Sequence, residues 1–593
     1  MIKLSDFIAK RLKEKYHIRY VFMVSGGGAM HLNDSFGKYI PYICNHNEQA
    51  SAIGAEGYAR LHQELAVVNV TTGPGGLNCL NGVFGQWTDS VPVLYISGQV
   101  KQSTTLASCP NISLRQLGDQ EVDIISCVKP LTKYAISLTQ AQDIEYVLDK
   151  AVYLAMHGRP GPVWIDVPLN LQASLIDENS LRKYNPHEDE IFLPSNKDGW
   201  NALISAWKHA RRPIIIAGHG ITLAKAKREF LKLLDKLNVP VVTTMNGFDT
   251  VAQKNKNFIA RIGTVANRAG NFALQNADLV LSIGSRNNIR QVSYNWENFA
   301  KNAILVSVDI DKAELEKPTV KPNIKINTDV KTFLKKAYTI LEPLECSQWR
   351  TFCLHLKEKY QPLTEAPRVG HHPIEPYYFI EKLTEQFCDD EVIVCSNGTA
   401  FLLPFQVGKV KENQRYIWNS GDASMGYGLP AAIGACFANH RKRTVCVEGD
   451  GSIMMNLQEL QTLKQYNLPI KLFVLNNNGY ISIQQTQKNF FNGRMTACTP
   501  ETGVSCPDFI KIGKAFDLKT IKINKLNNLE IQIQNVLETP GPVLCEVMLT
   551  PGYTFAPKLS ARKLPDGTMV SPSLEDMFPF LDRQEMEENK FSD

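Results

Sequence analysis

Glu448-Gly449-Asp450-Gly451-Ser452 and, downstream, Leu475-Asn476-Asn477-Asn478-Gly479-Tyr480 are the stretches on which the reading of this chain turns. The run leading into the first, Thr444-Val445-Cys446-Val447, is short, apolar and β-branched, as a buried strand should be. A Gly-Asp-Gly turn follows, and Ile453, Leu457, Leu460 and Leu463 then recur at helical spacing. The turn leaves free backbone N–H groups at a helix N-terminus, where phosphate oxygens are favoured. Asp450 adds a hard carboxylate oxygen, the kind of ligand Mg²⁺ takes alongside substrate phosphates. A second apolar strand, Ile470 to Leu475, delivers Asn477, whose amide oxygen is a second hard ligand. Parallel strands in one sheet bring their carboxyl ends to a common edge, so Asp450 and Asn477 can meet there. Read alone, each segment is also an ordinary turn, since Gly-Asp-Gly and Asn-Gly end many strands.

At 593 residues the chain is too long for a single core and predicts roughly three or four domains. Hydrophobic residues make up 44% and charged ones 21%, the balance of a soluble globular protein. The net charge of +5 carries no long basic run, which argues for a solvated surface and against nucleic-acid binding. Thirteen scattered cysteines with no Cys-x-x-Cys pair predict reduced thiols filling cores, and so a cytoplasmic protein. Leu4, Phe7, Ile8 and Leu12 interleave with Lys10, Arg11 and Lys13, an amphipathic helix and not a signal peptide. No apolar run reaches the ~20 residues needed to span a bilayer.

Strands alternate with helical stretches throughout, the pattern of parallel α/β sheets. Apolar runs at 21–24, 66–70, 91–97 and 163–167 predict the strands of a first unit, residues 1–180. Runs at 213–217, 239–243, 277–283 and 304–310 predict a second, residues 195–345, after a polar linker. Runs at 392–395, 443–447, 470–475 and 543–547 predict a third, residues 370–550, after a proline-rich stretch containing His371-His372. The remaining tail, 551–593, is rich in proline and charge and is expected to wrap the surface.

Gly-Asp-Gly followed at a distance by Asn-Asn resembles the signature of the thiamine-diphosphate enzymes. The resemblance implies three consecutive parallel-sheet α/β domains: pyrimidine-binding, middle and diphosphate-binding. It implies Mg²⁺ held by Asp450, Asn477 and the carbonyl of Gly479. Glu48, in Cys44-Asn45-His46-Asn47-Glu48-Gln49-Ala50, matches the glutamate that hydrogen-bonds the cofactor's pyrimidine and drives its amino–imino tautomer change. A carboxylate in an apolar pocket has a raised pKa, which suits such proton sharing. Read alone, Glu48 is an acidic residue supporting a helix dipole.

Thr71-Thr72-Gly73-Pro74-Gly75-Gly76-Leu77-Asn78 resembles the family's Thr-Ser-Gly-Pro-Gly-Ala-Thr-Asn loop. Asp89 to Val100 and Gly158 to Pro168 resemble segments of its acetolactate-synthase branch. Met425, in Ser424-Met425-Gly426-Tyr427-Gly428-Leu429-Pro430, falls on the apolar residue that wedges between the two cofactor rings. The resemblance also sets Gly27, Pro74, Asn78, Gly398, Thr399, Ser424, Gly451, Ser452, Tyr480 and Ile481 against the cofactor. Gly118-Asp119-Gln120-Glu121 stands where the branch carries Ala-Phe-Gln-Glu, which makes Gln120 a catalytic candidate beside Glu48 and Met425.

In the middle unit Gly218, Gly220, Asn246, Arg286 and Asp309 lie in segments resembling the loops that hold a non-redox FAD in acetolactate synthases. The family's Arg-Phe-Asp-Asp-Arg is replaced here by Arg286-Asn287-Asn288-Ile289-Arg290. Two readings stay open for this unit, a FAD site or a domain that only buttresses a dimer. The whole implies a homodimer or homotetramer that decarboxylates pyruvate and joins the two-carbon unit to a ketone acceptor. Gln484, near the place of a tryptophan in the branch, points to a polar acceptor. Gly26 to Asp34 resembles the start of relatives that transfer an acetyl unit to a nucleotide-linked keto-sugar. Simple 2-keto-acid decarboxylation, and a cofactor-binding homologue without turnover, are the other readings.

Overall fold

The computed structural model describes all residues except 191–193, 195, 366–373, 564, 565 and 593, so His371-His372 lie outside the described residues. Every apolar run named above is a strand, and each lies in the interior of one of three parallel six-stranded sheets. The first sheet contains β1 (Val21–Met23), β2 (Tyr42–Cys44), β3 (Ala66–Val70), β4 (Val93–Gln99), β5 (Tyr134–Ser137) and β6 (Val163–Pro168), in the order β2-β1-β3-β4-β6-β5. The second contains β7 (Pro213–Ala217), β8 (Val241–Thr243), β9 (Phe258–Arg261), β10 (Leu279–Ile283), β11 (Ile304–Asp309) and β12 (Ile324–Asn327), ordered β9-β8-β7-β10-β11-β12. The third contains β13 (Val392–Cys395), β14 (Arg415–Ile417), β15 (Thr444–Gly449), β16 (Ile470–Asn476), β17 (Lys519–Ile523) and β18 (Val543–Met548), ordered β14-β13-β15-β16-β18-β17.

The first and third sheets thus repeat one topology, and the second has the order of a dinucleotide-binding sheet. In open parallel sheets, ligands bind outside the carboxyl ends of the strands where the order reverses. Those places fall between β1 and β3, between β7 and β10, and between β13 and β15. Each is flanked by one of the glycine-bearing loops singled out from sequence.

The first and third units share a core. Phe22, Ile53, Val68 and Trp164 of the first pack in one cluster with Val394, Leu429, Ile433 and Val474 of the third. At its centre the helix Glu48–His62 lies against the helix Gly428–Ala438. The approach requires glycine: a Cβ at Gly434 would fall 1.7 Å from the Gly54 carbonyl oxygen, and one at Gly57 would fall 2.1 Å from that of Ala431. The middle unit has its own core, which takes in Trp349, Cys353, Leu356 and Tyr360 beyond residue 345.

The tail differs from expectation. Tyr553, Ala556 and Met577 are fully buried, and Leu574 joins the middle core. Arg268 donates to the carbonyls of Met577 and Pro579, and Asn271 to that of Leu574. The tail therefore returns from the third unit and packs into the second. Its apolar residues are spaced without period between prolines and charges, which hides them from a pattern reading.

Candidate active site

At the carboxyl end of β15 the chain turns into the helix Asp450–Ile453, and Asp450 is almost fully buried. Its Oδ1 accepts from Gly451 N at 2.7 Å, and its Oδ2 from Asn477 N and Gly479 N at 3.0 and 3.2 Å. Burial raises the Asp450 carboxyl above its ordinary value, and these backbone donors pull against it. Asn477 Oδ1 is buried without a partner. A buried acceptor left bare is costly unless a ligand meets it. Asp450, Asn477 and the Gly479 carbonyl together offer hard oxygens in the small number that suits Mg²⁺. Among the described residues no cluster of three or more His, Cys, Asp or Glu competes for a metal.

Around this point the structure gathers most third-unit candidates. Tyr480 packs over Gly451, where a Cβ would meet its ring at 2.2 Å, and Ile481 opens the next helix. Ser452 Oγ accepts from Gly426 N at 2.9 Å and shares a 2.8 Å hydrogen bond with Ser396 Oγ. Ser424 donates to the carbonyl of Met425, which is half-buried. Glu448 Oε2 accepts from Leu429 N at 3.0 Å, tying the loop after Met425 to the end of β15. Gly398 precedes Thr399 at the start of the helix Thr399–Val407.

The first-unit candidates meet at the carboxyl ends of β1 and β3. Glu48 is the first residue of its helix, which Asn47 caps by accepting from Gln49 N. Its Oε2 accepts from Asn78 Nδ2 at 2.9 Å. The loop holding Gly27 is fixed by Gly28 N donating to Thr71 Oγ1 at 3.1 Å, and Pro74 opens the short helix Pro74–Asn78. Gln120 adopts φ +60°, and its carbonyl sits so close to Gly73 (φ +63°) that a Cβ there would fall 2.0 Å away. Glu121 knits this loop by accepting from the backbone of Leu106, Leu117 and Gly118.

The closed apolar pocket expected around Glu48 is not built by one chain. Glu48 is half-buried, while Pro74, Asn78 and Gln120 are exposed beside exposed Leu77 and Phe84. Among the described residues no hydrogen bond joins Glu48, Asn78 or Gln120 to Met425, Asp450, Asn477 or Thr399.

A cavity of about 350 Å³ lies at the reversal between β7 and β10. Gly220, Asn246, Arg286 and Asp309 line it, whereas Gly218 lies behind it against Gly284. Burial pushes the Asp309 carboxyl up to about 6. Sequence reasoning missed two residues that matter here. His219, inside a loop already singled out, is half-buried, with both ring nitrogens buried and unpartnered. Burial, reinforced by Arg60 and Arg415, pushes it down to about 4, so it is neutral near pH 7. Asp89 bridges the units: its Oδ2 accepts from Arg60 at 2.9 Å and from Ser420 N at 3.2 Å, and its Oδ1 lies 3.6 Å from Arg286. In the third unit, Tyr553 was missed because it belongs to no motif.

Three family models match successive parts of the chain, all described as thiamine pyrophosphate enzyme. They are the N-terminal TPP binding domain over residues 2–126, the central domain over 200–337 and the C-terminal TPP binding domain over 397–547. The chain is 31% identical over 563 residues to the acetolactate synthase large subunit of Lactococcus lactis, covering 94% of each protein. It is 29% identical over 587 residues to that of Cyanidium caldarium, covering 95% of this chain and 96% of the other. It is 30% identical over 565 residues to acetolactate synthase 1, chloroplastic, of Zea mays, covering 92% of this chain and 85% of the other. With three matched domains on three α/β sheets, the chain belongs to the thiamine-diphosphate-dependent enzymes, in the acetolactate synthase large-subunit-like branch.

Proposed function

We propose that this enzyme decarboxylates pyruvate and joins the two-carbon unit to a ketone acceptor, with thiamine diphosphate anchored through Mg²⁺. The observation that carries the proposal is the bare, buried Asn477 Oδ1 beside Asp450, at the reversal point of the third sheet. When bound, the cofactor supplies a nucleophilic carbon and an electron sink for the carboxylate's departure. Asp450, Asn477 and the Gly479 carbonyl would hold the cation, and the Gly451 and Ser452 backbone would bind the diphosphate. Glu48, its carboxylate oriented by Asn78, would hold and release the proton at the cofactor's pyrimidine. Gln120, held over Gly73, would serve the reacting side of the site, and Met425 would pack against the bound cofactor. Incubation of purified protein with pyruvate, Mg²⁺ and thiamine diphosphate, read by mass spectrometry, should show acetolactate or another acetyl-transfer product. Acetaldehyde as sole product would instead fit simple decarboxylation.

The acceptor favours a second reading. Gln484 beside Gly479 donates to the Cys498 carbonyl at 2.9 Å, giving a polar wall near the position of the branch's tryptophan. Asp119 adds a carboxylate beside Gln120. A polar acceptor such as a nucleotide-linked keto-sugar fits this wall, and its product mass separates it from acetolactate.

The first-unit limb of the site, with Pro74, Asn78 and Gln120 exposed, opens to solvent within one chain, which supports a homodimer with composite sites. A mixture of inactive Glu48→Gln and inactive Asp450→Ala chains should then regain activity. By symmetry one site of each mixed dimer is intact and the other carries both lesions, so a random mixture should recover roughly a quarter of wild-type activity. No recovery from chains shown to have exchanged means that each site is built within one chain.

For the middle unit we favour FAD. The sheet order, the cavity at its reversal point and Asn246, Arg286 and Asp309 on its lining support a dinucleotide there. Purified protein should release flavin on denaturation, seen by absorbance. Protein that takes up none even from added FAD would support the buttress reading.

A further inference from the structure

We infer that Tyr553 is the positioning residue that turns the Asn477 amide so that its oxygen, and not its nitrogen, meets the metal. The inference rests on the thiamine-diphosphate and Mg²⁺ reading of this site. Tyr553 lies beyond residue 547, where the matched C-terminal family domain ends. It is nonetheless fully buried. The tail is pinned there from both sides of the tyrosine. Gln485 Nε2 donates to the Tyr553 carbonyl at 3.0 Å, Gln485 Oε1 accepts from Phe555 N at 3.3 Å, and Ala556 N donates to Tyr377 Oη at 2.8 Å.

Tyr553 Oη stands between the two halves of the diphosphate site. Asn477 Nδ2 donates to it at 3.3 Å, and it is hydrogen-bonded to Thr399 Oγ1. An amide nitrogen only donates and an amide oxygen only accepts. Either hydroxyl of the Tyr553–Thr399 pair can donate; we assign the tyrosine proton to Thr399 Oγ1, the direction that leaves the threonine proton free to point onward. In this direction the relay presents a bare carbonyl oxygen at the Asn477 end and an O–H donor at the Thr399 end. A cation at the first end and a phosphate oxygen at the second both select that direction. The reversed relay would set an NH₂ group against the cation and leave Thr399 without its proton for the anion. The buried, unpartnered Asn477 Oδ1 is what the first direction leaves.

Partners of metal ligands commonly change metal affinity 10- to 100-fold when removed. Tyr553→Phe keeps the ring and removes only the hydroxyl. At saturating thiamine diphosphate it should raise the Mg²⁺ concentration for half-maximal cofactor uptake by about 10- to 100-fold. Uptake is followed by fluorescence or calorimetry on the full-length chain, and the melting of the metal-free protein reports whether the fold is kept. Asn477→Asp offers oxygen at either end of the side chain, so in that background the loss caused by Tyr553→Phe should shrink. Thr399→Val removes the proton acceptor from the other end, should shift the Mg²⁺ requirement in the same direction, and decides the question if Tyr553→Phe does not fold. Wild-type Mg²⁺ dependence in Tyr553→Phe, or an equal loss in both Asn477 backgrounds, overturns the inference alone. A wild-type chain that takes up no thiamine diphosphate at any Mg²⁺ concentration overturns the cofactor reading, and this inference with it.

Discussion

Asp450→Ala is expected to abolish Mg²⁺-dependent binding of thiamine diphosphate. Asp450 is the carboxylate of the proposed ligand set, and the diphosphate loses its bridging cation without it. The substitution acts twice. Gly451 N, Asn477 N and Gly479 N all donate to Asp450, so alanine also strands the donors that shape the loop. Each buried group left unpaired costs about 1–3 kcal/mol. Asp450→Asn keeps acceptors for part of this network and removes the charge, which separates loop collapse from loss of the cation. Calorimetric titration with thiamine diphosphate, with and without Mg²⁺, is the measurement. Wild-type affinity and metal dependence in Asp450→Ala would place the metal elsewhere.

Glu48→Gln should leave folding and cofactor binding largely intact while slowing deprotonation of the cofactor carbon. Glutamine keeps the size of the side chain and an oxygen for Asn78 Nδ2, so the local geometry survives. It cannot exchange the proton, and loss of such a partner typically costs ~10²–10⁴-fold in rate. Hydrogen exchange at thiamine C2, followed by NMR on the bound cofactor, reads this step without turnover. An unchanged exchange rate would remove Glu48 from the role.

The strands legible in the sequence were those in the sheet interiors. A parallel strand covered on both faces reads as an unbroken apolar run, as Pro213–Ala217 and Val392–Cys395 do. The edge strands gave no such signal. Tyr42–Cys44, Tyr134–Ser137, Ile324–Asn327 and Lys519–Ile523 each keep residues partly or fully exposed. Phe258–Arg261 is different, because it is buried along its length and yet carries a charge. Arg261 is tolerated there because its guanidinium donates to the carbonyls of Gln406 and Gly408. A single-chain pattern cannot show a partner so far away.

The site divided along the same line. Glu48, Asp450 and Asn477 sit in contiguous segments whose residue types carry their chemistry. Tyr553 and Asp89 act only through residues distant in the chain, and Gln120's φ of +60° has no trace in its identity. Exposure of Glu48 was equally hidden, since it depends on what the chain leaves uncovered.

The glycine-close packing of Glu48–His62 on Gly428–Ala438 has a consequence for synthesis. Asn419, which donates to Glu56 at this junction, lies 363 residues further along the chain. At the 5–20 residues per second of translation, the first helix waits on the order of tens of seconds before its partner emerges. Through that interval the small-residue face of the first unit, around Gly54 and Gly57, has nothing of its own chain to close on. The nascent first unit is therefore an incomplete fold whose natural cover is made only in the last third of the chain.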